Sequence, residues 1–128
     1  MKLLLDTCTF LWAIAEQRRL SRTCRDLLVD PGNTVYLSAA SAWEICLKAG
    51  SGALTLAEPA AQFVPRYRQA HGYEALPIDE RAVLQLPRLP NHHRDPFDRI
   101  LVCQAVAHGL TLLTPDPLIG QYPVAVAW

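Results

Sequence analysis

Long apolar runs, cysteine pairs and net charge are all missing from this 128-residue chain. No stretch approaches the ~20 consecutive apolar residues that a membrane-spanning helix needs. The opening "MKLLLDTCTFLWAIAE" is a poor secretory leader, because Asp6 interrupts its apolar run and Glu16 stands where a small-residue cleavage site belongs. The four cysteines, Cys8, Cys24, Cys46 and Cys103, are widely spaced and include no C-x-x-C pair. That excludes the usual zinc spacing and argues against a disulfide framework. Three of them sit within apolar patterns, as buried free thiols do. A cytoplasmic protein is expected.

Acidic and basic residues balance at twelve each, so no overall field draws the chain to nucleic acid or to a membrane surface. Repeats, low-complexity tracts and charge runs are absent too. Lysine is scarce. Ten of the twelve basic residues are arginine, whose planar fork suits phosphate, although an arginine-rich genome produces the same bias. What the chain does have is apolar material, 51% of its residues. That suffices for a core and predicts one globular domain over residues 1–128.

Periodicity divides the chain into alternating elements. Lys2 to Leu5 suits a buried strand, and a helical pattern runs from Thr9 to about Gln17. "LSRTCRDLLVDPGN" predicts a helix capped by Ser21 and ended by Pro31-Gly32, "TVYLS" a strand, and "AASAWEICLKAG" a helix stopping at Gly50. "PAAQFVPRYRQAHG" is helical in pattern, with Pro65 expected to break or kink it. "YEALPI" predicts a strand, "DERAVLQL" a short helix capped by Asp79, and "LPNHHRD" a loop. A helix follows from Pro96 to His108, with Asp95 as N-cap and Gly109 as terminator. "LTLLT" and "VAVAW" are strands around the turn-rich "PDPLIGQYP". This alternation predicts an α/β sandwich around a mainly parallel sheet, whose ligands gather outside the carboxyl ends of the strands.

Four acids fall on that edge. Asp6 lies just past the first strand and Asp116 two residues past "LTLLT". Glu44 sits one to two turns into the helix that leaves "TVYLS", and Asp98 in the first turn of the helix beginning at Pro96. Each has a plain structural explanation. Glu44 and Lys48 form a favourable i,i+4 pair, Asp95 and Asp98 suit a helix start, and Asp116 suits the turn "TPDP". Asp6 is hardest to explain this way, since it stands between two apolar segments. Converging carboxylates cannot all stay ionised in a partly buried cleft without a counter-charge. A hard divalent cation such as Mg²⁺ or Mn²⁺ supplies one through carboxylate and water oxygens.

These residues also carry a resemblance. "LLLDTCTFLW", "SAASAWEICLKAGSGALTL", "HRDPFDRILVCQA", "LTLLTPD" and "YPVAVAW", in that order, resemble the PIN-domain ribonucleases, specifically the VapC-type toxins of bacterial toxin–antitoxin pairs. The resemblance runs from end to end and implies a PIN-like three-layer α/β/α sandwich. It maps the family's four acids onto Asp6, Glu44, Asp98 and Asp116, makes Asp95 an N-cap or outer helper, and makes Thr114 a hydrogen-bond partner within the site. Many relatives have histidine where this chain has Cys8. The implied activity is hydrolysis of RNA phosphodiester bonds with Mg²⁺ or Mn²⁺, leaving 5′-phosphate and 3′-hydroxyl ends. Asp6, Glu44 and Asp98 would hold the ion, and Asp116 would bind it directly or through water. Arg94, Arg99, Arg66 and Arg68 are candidates for positioning the RNA backbone, with pairing to a neighbouring acid an equal alternative for Arg99. A homodimer and a small antitoxin partner are implied as well.

Three other readings compete. A metal-independent ribonuclease would use histidines as acid and base, but His92 and His93 are loop neighbours, and His71 and His108 precede glycines as helix-ending residues do. A receiver domain or aspartate-nucleophile phosphatase would need a second acid beside Asp6, where Thr7-Cys8-Thr9 stands instead. A catalytically silent PIN module that binds RNA or a partner would not need all four acids.

Overall fold

The computed structural model describes Met1 to Trp128. Five strands form one sheet: β1 (Lys2–Leu5), β2 (Thr34–Ser38), β3 (Glu74–Leu76), β4 (Thr111–Leu113) and β5 (Val126–Ala127). Their spatial order is β3-β2-β1-β4-β5, and every neighbouring pair is parallel. Six helices connect and cover them: α1 (Thr7–Ala15), α2 (Arg22–Val29), α3 (Ala39–Gly50), α4 (Ala60–Ala70), α5 (Glu80–Val83) and α6 (Pro96–His108). None is long and apolar enough to cross a membrane.

The strands are apolar on both faces because both are covered, as parallel sheets require. Alternation along each strand then divides the core in two. Leu3, Leu5, Val35, Leu37 and Leu113 join Phe10 and Ala13 of α1, Cys24 of α2, Ile45 of α3, and Phe63 and Val64 of α4. Leu4 and Leu112 face the other way, onto Leu101, Val102 and Ala105 of α6. The result is the three-layer α/β/α sandwich.

Local chemistry sets the helix ends. Ser21 accepts the Cys24 N–H at the start of α2, Asp79 the Ala82 N–H at α5, and Asp95 the Phe97 N–H at α6. Gly109 closes α6 with φ of 65°, a left-handed conformation that costs glycine nothing. Two expectations need correction. The first helix begins at Thr7 and ends at Ala15, earlier at both ends than its apolar pattern indicates, with a separate 3-10 turn over Gln17–Arg19. Pro65 does not end α4, which continues to Ala70. The carbonyl four residues before it belongs to Ala61, which is exposed, so water can replace the missing N–H.

Phe10 is fully buried, with edge-on contacts to Phe63 at 6.5 Å and Tyr73 at 6.3 Å between ring centroids. Phe10→Ala is expected to lower stability by about 3–5 kcal/mol. Urea denaturation checks this; an unchanged midpoint would mean that the face of the sheet under α1 is not a packed core.

Candidate functional site

Parallel pairing of β1 with β4 brings Leu5 opposite Leu113, so the residues that follow them meet at the same edge of the sheet. The Asp6 N–H still bonds the Leu113 carbonyl at 3.1 Å, extending the ladder by one rung. Asp6 also occupies the N-cap position of α1, yet its side chain caps nothing there. Its carboxylate is left for the site. Thr114 Oγ1 donates to Asp6 Oδ2 at 2.7 Å, and the Asp116 N–H donates to Thr114 Oγ1 at 3.1 Å. Thr114 thereby couples two acids from adjacent strands. Asp116 Oδ1 accepts the Leu118 N–H at 2.9 Å, so the same residue also builds its turn.

Glu44 projects from the second turn of α3 and is 4% exposed. Lys48 Nζ lies 2.5 Å from Glu44 Oε2, while Glu44 Oε1 is buried without a partner. Asp98 arrives from the first turn of α6, whose N-terminus points to this edge because the helix runs back before β4. Asp6, Glu44, Asp98, Asp116 and the capping Asp95 all line one cleft of about 380 Å³, with Cys8 and Lys48. Lys48 is the only lysine or arginine in that lining.

The arginines are placed differently. None of Arg94, Arg99, Arg66 and Arg68 lines the cleft. Arg66 pairs with Glu58 at 3.1 Å, and Arg68 donates to the Tyr73 carbonyl at 3.4 Å. Both belong to α4, which packs against α3 and β3. Neither side chain lies in the lining that the acids form. Arg94 is exposed and Arg99 half-buried, each close in sequence to Asp98, and Arg99 forms no ion pair with a neighbouring acid.

His93 is the site residue that sequence reasoning passed over. Its Nε2 lies 3.1 Å from Asp98 Oδ2 and 3.0 Å from Asp116 Oδ2. The ring is fixed from behind, where Nδ1 accepts the Asp95 N–H at 3.0 Å. His92, by contrast, is exposed and rests edge-on against the Tyr122 ring at 5.2 Å. The signal was the doublet before "RDPFD", but only the fold distinguishes its two members.

The electrostatics follow from burial first and from crowding second. Burial pushes the Asp98 carboxyl up to about 7, reinforced by Asp6 and Asp95 and opposed by His93. Asp6 is raised chiefly by burial, against the Thr114 hydrogen bond. Lys48 is raised by its hydrogen bond to Glu44. The Cys8 thiol is pushed up to about 12, by burial first and then by Asp6, so it stays protonated and is no nucleophile.

A raised acid makes stability fall as pH rises. Between about 4 and about 7 the folded, metal-free protein retains an Asp98 proton that the unfolded chain has released. Unfolding therefore becomes easier across that window, and above it the ionised carboxylate stays penalised. Asp98→Asn is expected to melt higher than wild type at pH 8 in EDTA, with the gap closing toward pH 4. Thermal melts across this range check it, and parallel profiles would contradict it.

A family model described as PIN domain matches residues 3–123. Ribonuclease VapC16 of Mycobacterium tuberculosis is 40% identical over 55 residues, a match covering 43% of this chain and only 39% of that protein. Among solved structures, VapBC2 from Rickettsia felis, bound to a promoter DNA fragment, aligns with a TM-score of 0.75 at 16% identity over 99% of this chain and 98% of that one. DNA-bound VapBC from Salmonella typhimurium gives 0.70 at 16% identity, covering 99% and 97%. VapBC-5 from Mycobacterium tuberculosis gives 0.59 at 21%, covering 98% and 95%. At such identities these structures speak for the fold alone. The family match over nearly the whole chain, on a sheet that carries four acids to one edge, has one conclusion: this chain belongs to the PIN-domain family.

Proposed function

We propose that the protein is a divalent-metal-dependent endoribonuclease acting in the cytoplasm as the toxin of a toxin–antitoxin pair. The observation that carries this reading is the convergence of Asp6, Glu44, Asp98 and Asp116 on one cleft. With Asp95 included, five carboxylates face a single lysine there. A phosphodiester cannot approach such a cleft unless a cation offsets the negative charge. The donor set is hard oxygen, as Mg²⁺ and Mn²⁺ prefer, and the buried, unpartnered Glu44 Oε1 lacks only such a ligand.

Asp6, Glu44 and Asp98 would hold the ion, with Asp116 at the edge of the same site, binding it directly or acting through water. Once bound, the ion would supply Lewis-acid polarisation of the phosphate and a nucleophilic water at neutral pH. The remaining work falls to the chain. Thr114 fixes the Asp6 carboxylate through the 2.7 Å bond. Lys48 holds Glu44 by one oxygen and leaves the other available. Asp95 caps α6 and so sets the position of Asp98. Arg94, Arg99, Arg66 and Arg68 remain candidates for the RNA backbone beyond the cleft rim.

The toxin role is supported by the name of the Mycobacterium tuberculosis relative and by fold neighbours that are VapBC complexes. For partners, two surfaces are available. Leu11, Trp12, Leu54, Leu56, Phe63 and Tyr67 line a hollow of about 440 Å³ suited to an apolar antitoxin segment. Trp43 and Leu47, one turn apart on α3, are exposed beside the site and suit a homodimer contact.

The test is cleavage by purified chain, freed of any partner. RNA should be cut in Mg²⁺ or Mn²⁺, leaving 5′-phosphate ends, and left intact in EDTA. Asp6→Asn and Asp98→Asn should each reduce cleavage by about a hundredfold or more, since even an outer partner of a metal ligand is worth ~10–100-fold. Persistence in EDTA with cyclic phosphate ends would refute the metal-dependent mechanism. No cleavage under any condition would leave the silent module as the correct reading.

Ion binding to the folded state alone also raises stability. Millimolar Mn²⁺ should therefore increase the melting temperature of wild type more than that of Asp6→Asn. Equal shifts, measured by differential scanning fluorimetry, would place the ion elsewhere.

A further inference from the structure

We propose that His93 fills the position between Asp98 and Asp116 that a second divalent cation would take, so that the cleft binds a single ion on its Asp6, Glu44 and Asp98 side. This rests on the metal-dependent reading above and sets its stoichiometry. His93 Nε2, Asp98 Oδ2 and Asp116 Oδ2 lie within 4.8 Å of one another, close enough to be ligands of one metal themselves. The tautomer of the ring decides between a ligand and an occupant.

His93 Nδ1 accepts the Asp95 main-chain N–H at 3.0 Å, so Nδ1 presents its lone pair and the ring N–H is on Nε2. To ligate a metal, Nε2 would need the lone pair and Nδ1 the proton, which would then point at the Asp95 N–H. The ring therefore offers the two carboxylates a hydrogen, as a cation substitute would. It is also held in place. The His93 main-chain N–H donates to the Tyr122 hydroxyl at 2.8 Å, and Tyr122 is 4% exposed. The Asp95 N–H belongs to the N-cap of α6, so ring and helix start are one assembly.

Both oxygens of Asp116 are already engaged. Its Oδ1 accepts the Leu118 N–H at 2.9 Å and its Oδ2 faces His93 at 3.0 Å. A Mg²⁺ bridging Asp98 and Asp116 would have to sit about 2.0–2.1 Å from each oxygen, in the gap into which the Nε2–H points. Across the cleft the situation is reversed, since Glu44 Oε1 is buried with no donor at all. One ion is accommodated there. Asp116 then acts as a positioning residue, through His93 on one side and Thr114 on the other.

Two measurements test this. Mn²⁺ titration followed by electron paramagnetic resonance should give one tightly bound ion per wild-type chain and two in His93→Ala, whose fold is checked by circular dichroism. Long-range ¹H–¹⁵N spectra should show the His93 ring protonated on Nε2, both in the metal-free protein and at saturating Mg²⁺. The wild-type results stand even where the variant does not fold. Two ions on the wild type, one ion on a folded His93→Ala, a ring protonated on Nδ1, or a ¹⁴N coupling to bound Mn²⁺ would each overturn the proposal. Absence of any Mn²⁺ binding would instead overturn the metal-dependent reading, a result distinct from all of these.

Discussion

The parallel pairing of β1 with β4 is the constraint on which the site depends. Leu5 and Leu113 are in register, and the Asp6 N–H bonds the Leu113 carbonyl at 3.1 Å. Thr9 Oγ1 reaches that same carbonyl at 3.0 Å from the first turn of α1. One backbone acceptor thus fixes the end of a strand and the start of a helix together. A slip of one residue would draw Lys2 or Asp6 into the apolar positions that Leu3, Leu4 and Leu5 now fill, and all three leucines are fully buried. The core therefore enforces the register, and the register places Asp6 beside Thr114. Packing energy of about 1.5–3 kcal/mol for each buried leucine holds a polar arrangement that would not assemble unaided.

What stands at that edge is costly for the fold. Asp6 and Glu44 are almost fully buried, and Asp98 is pushed toward neutrality. Nothing in the apolar core requires acids at these positions, and the nearby buried hydroxyls of Thr7 and Ser41 satisfy each other without them. Partial remedies are built in: Lys48 beside Glu44, the Thr114 hydroxyl beside Asp6, and His93 between Asp98 and Asp116. Each reaches one oxygen of the acid or acids beside it and leaves the cluster as a whole short of positive charge. A site of this kind is better matched to a bound cation than to the protein alone.

Most of this architecture is written locally. The run "KLLL", the caps Ser21, Asp79 and Asp95, and the stop at Gly109 are side-chain and backbone chemistry within a few residues, so the sequence displays them. The edge shared by Asp6 and Asp116 was legible too, because parallel alternation leaves few topologies to choose from. Other features were not. Asp6 hides the true start of α1, since an aspartate at an N-cap normally caps and this one turns to Thr114 instead. Arg66 and Arg68 lie two apart on α4, and spacing alone cannot say that neither reaches the acids. His93 acquires its role only when a loop 23 residues upstream of Asp116 folds across it.

That last case shows why a doublet such as His92-His93 resists reading from sequence. Two adjacent side chains on a loop point apart, so at most one can serve a given site, and local pattern cannot choose. Here the choice is made by the helix that follows. Asp95 must present its carboxylate to the Phe97 N–H to cap α6, and its own N–H is then left facing back along the loop. His93 is the residue whose Nδ1 can accept it. The cap that begins α6 thus selects the histidine, fixes its tautomer and aims its remaining N–H at Asp98, one turn along the same helix. Capping and site chemistry are here a single set of hydrogen bonds, and a change at Asp95 would be felt at Asp98 and Asp116 through His93.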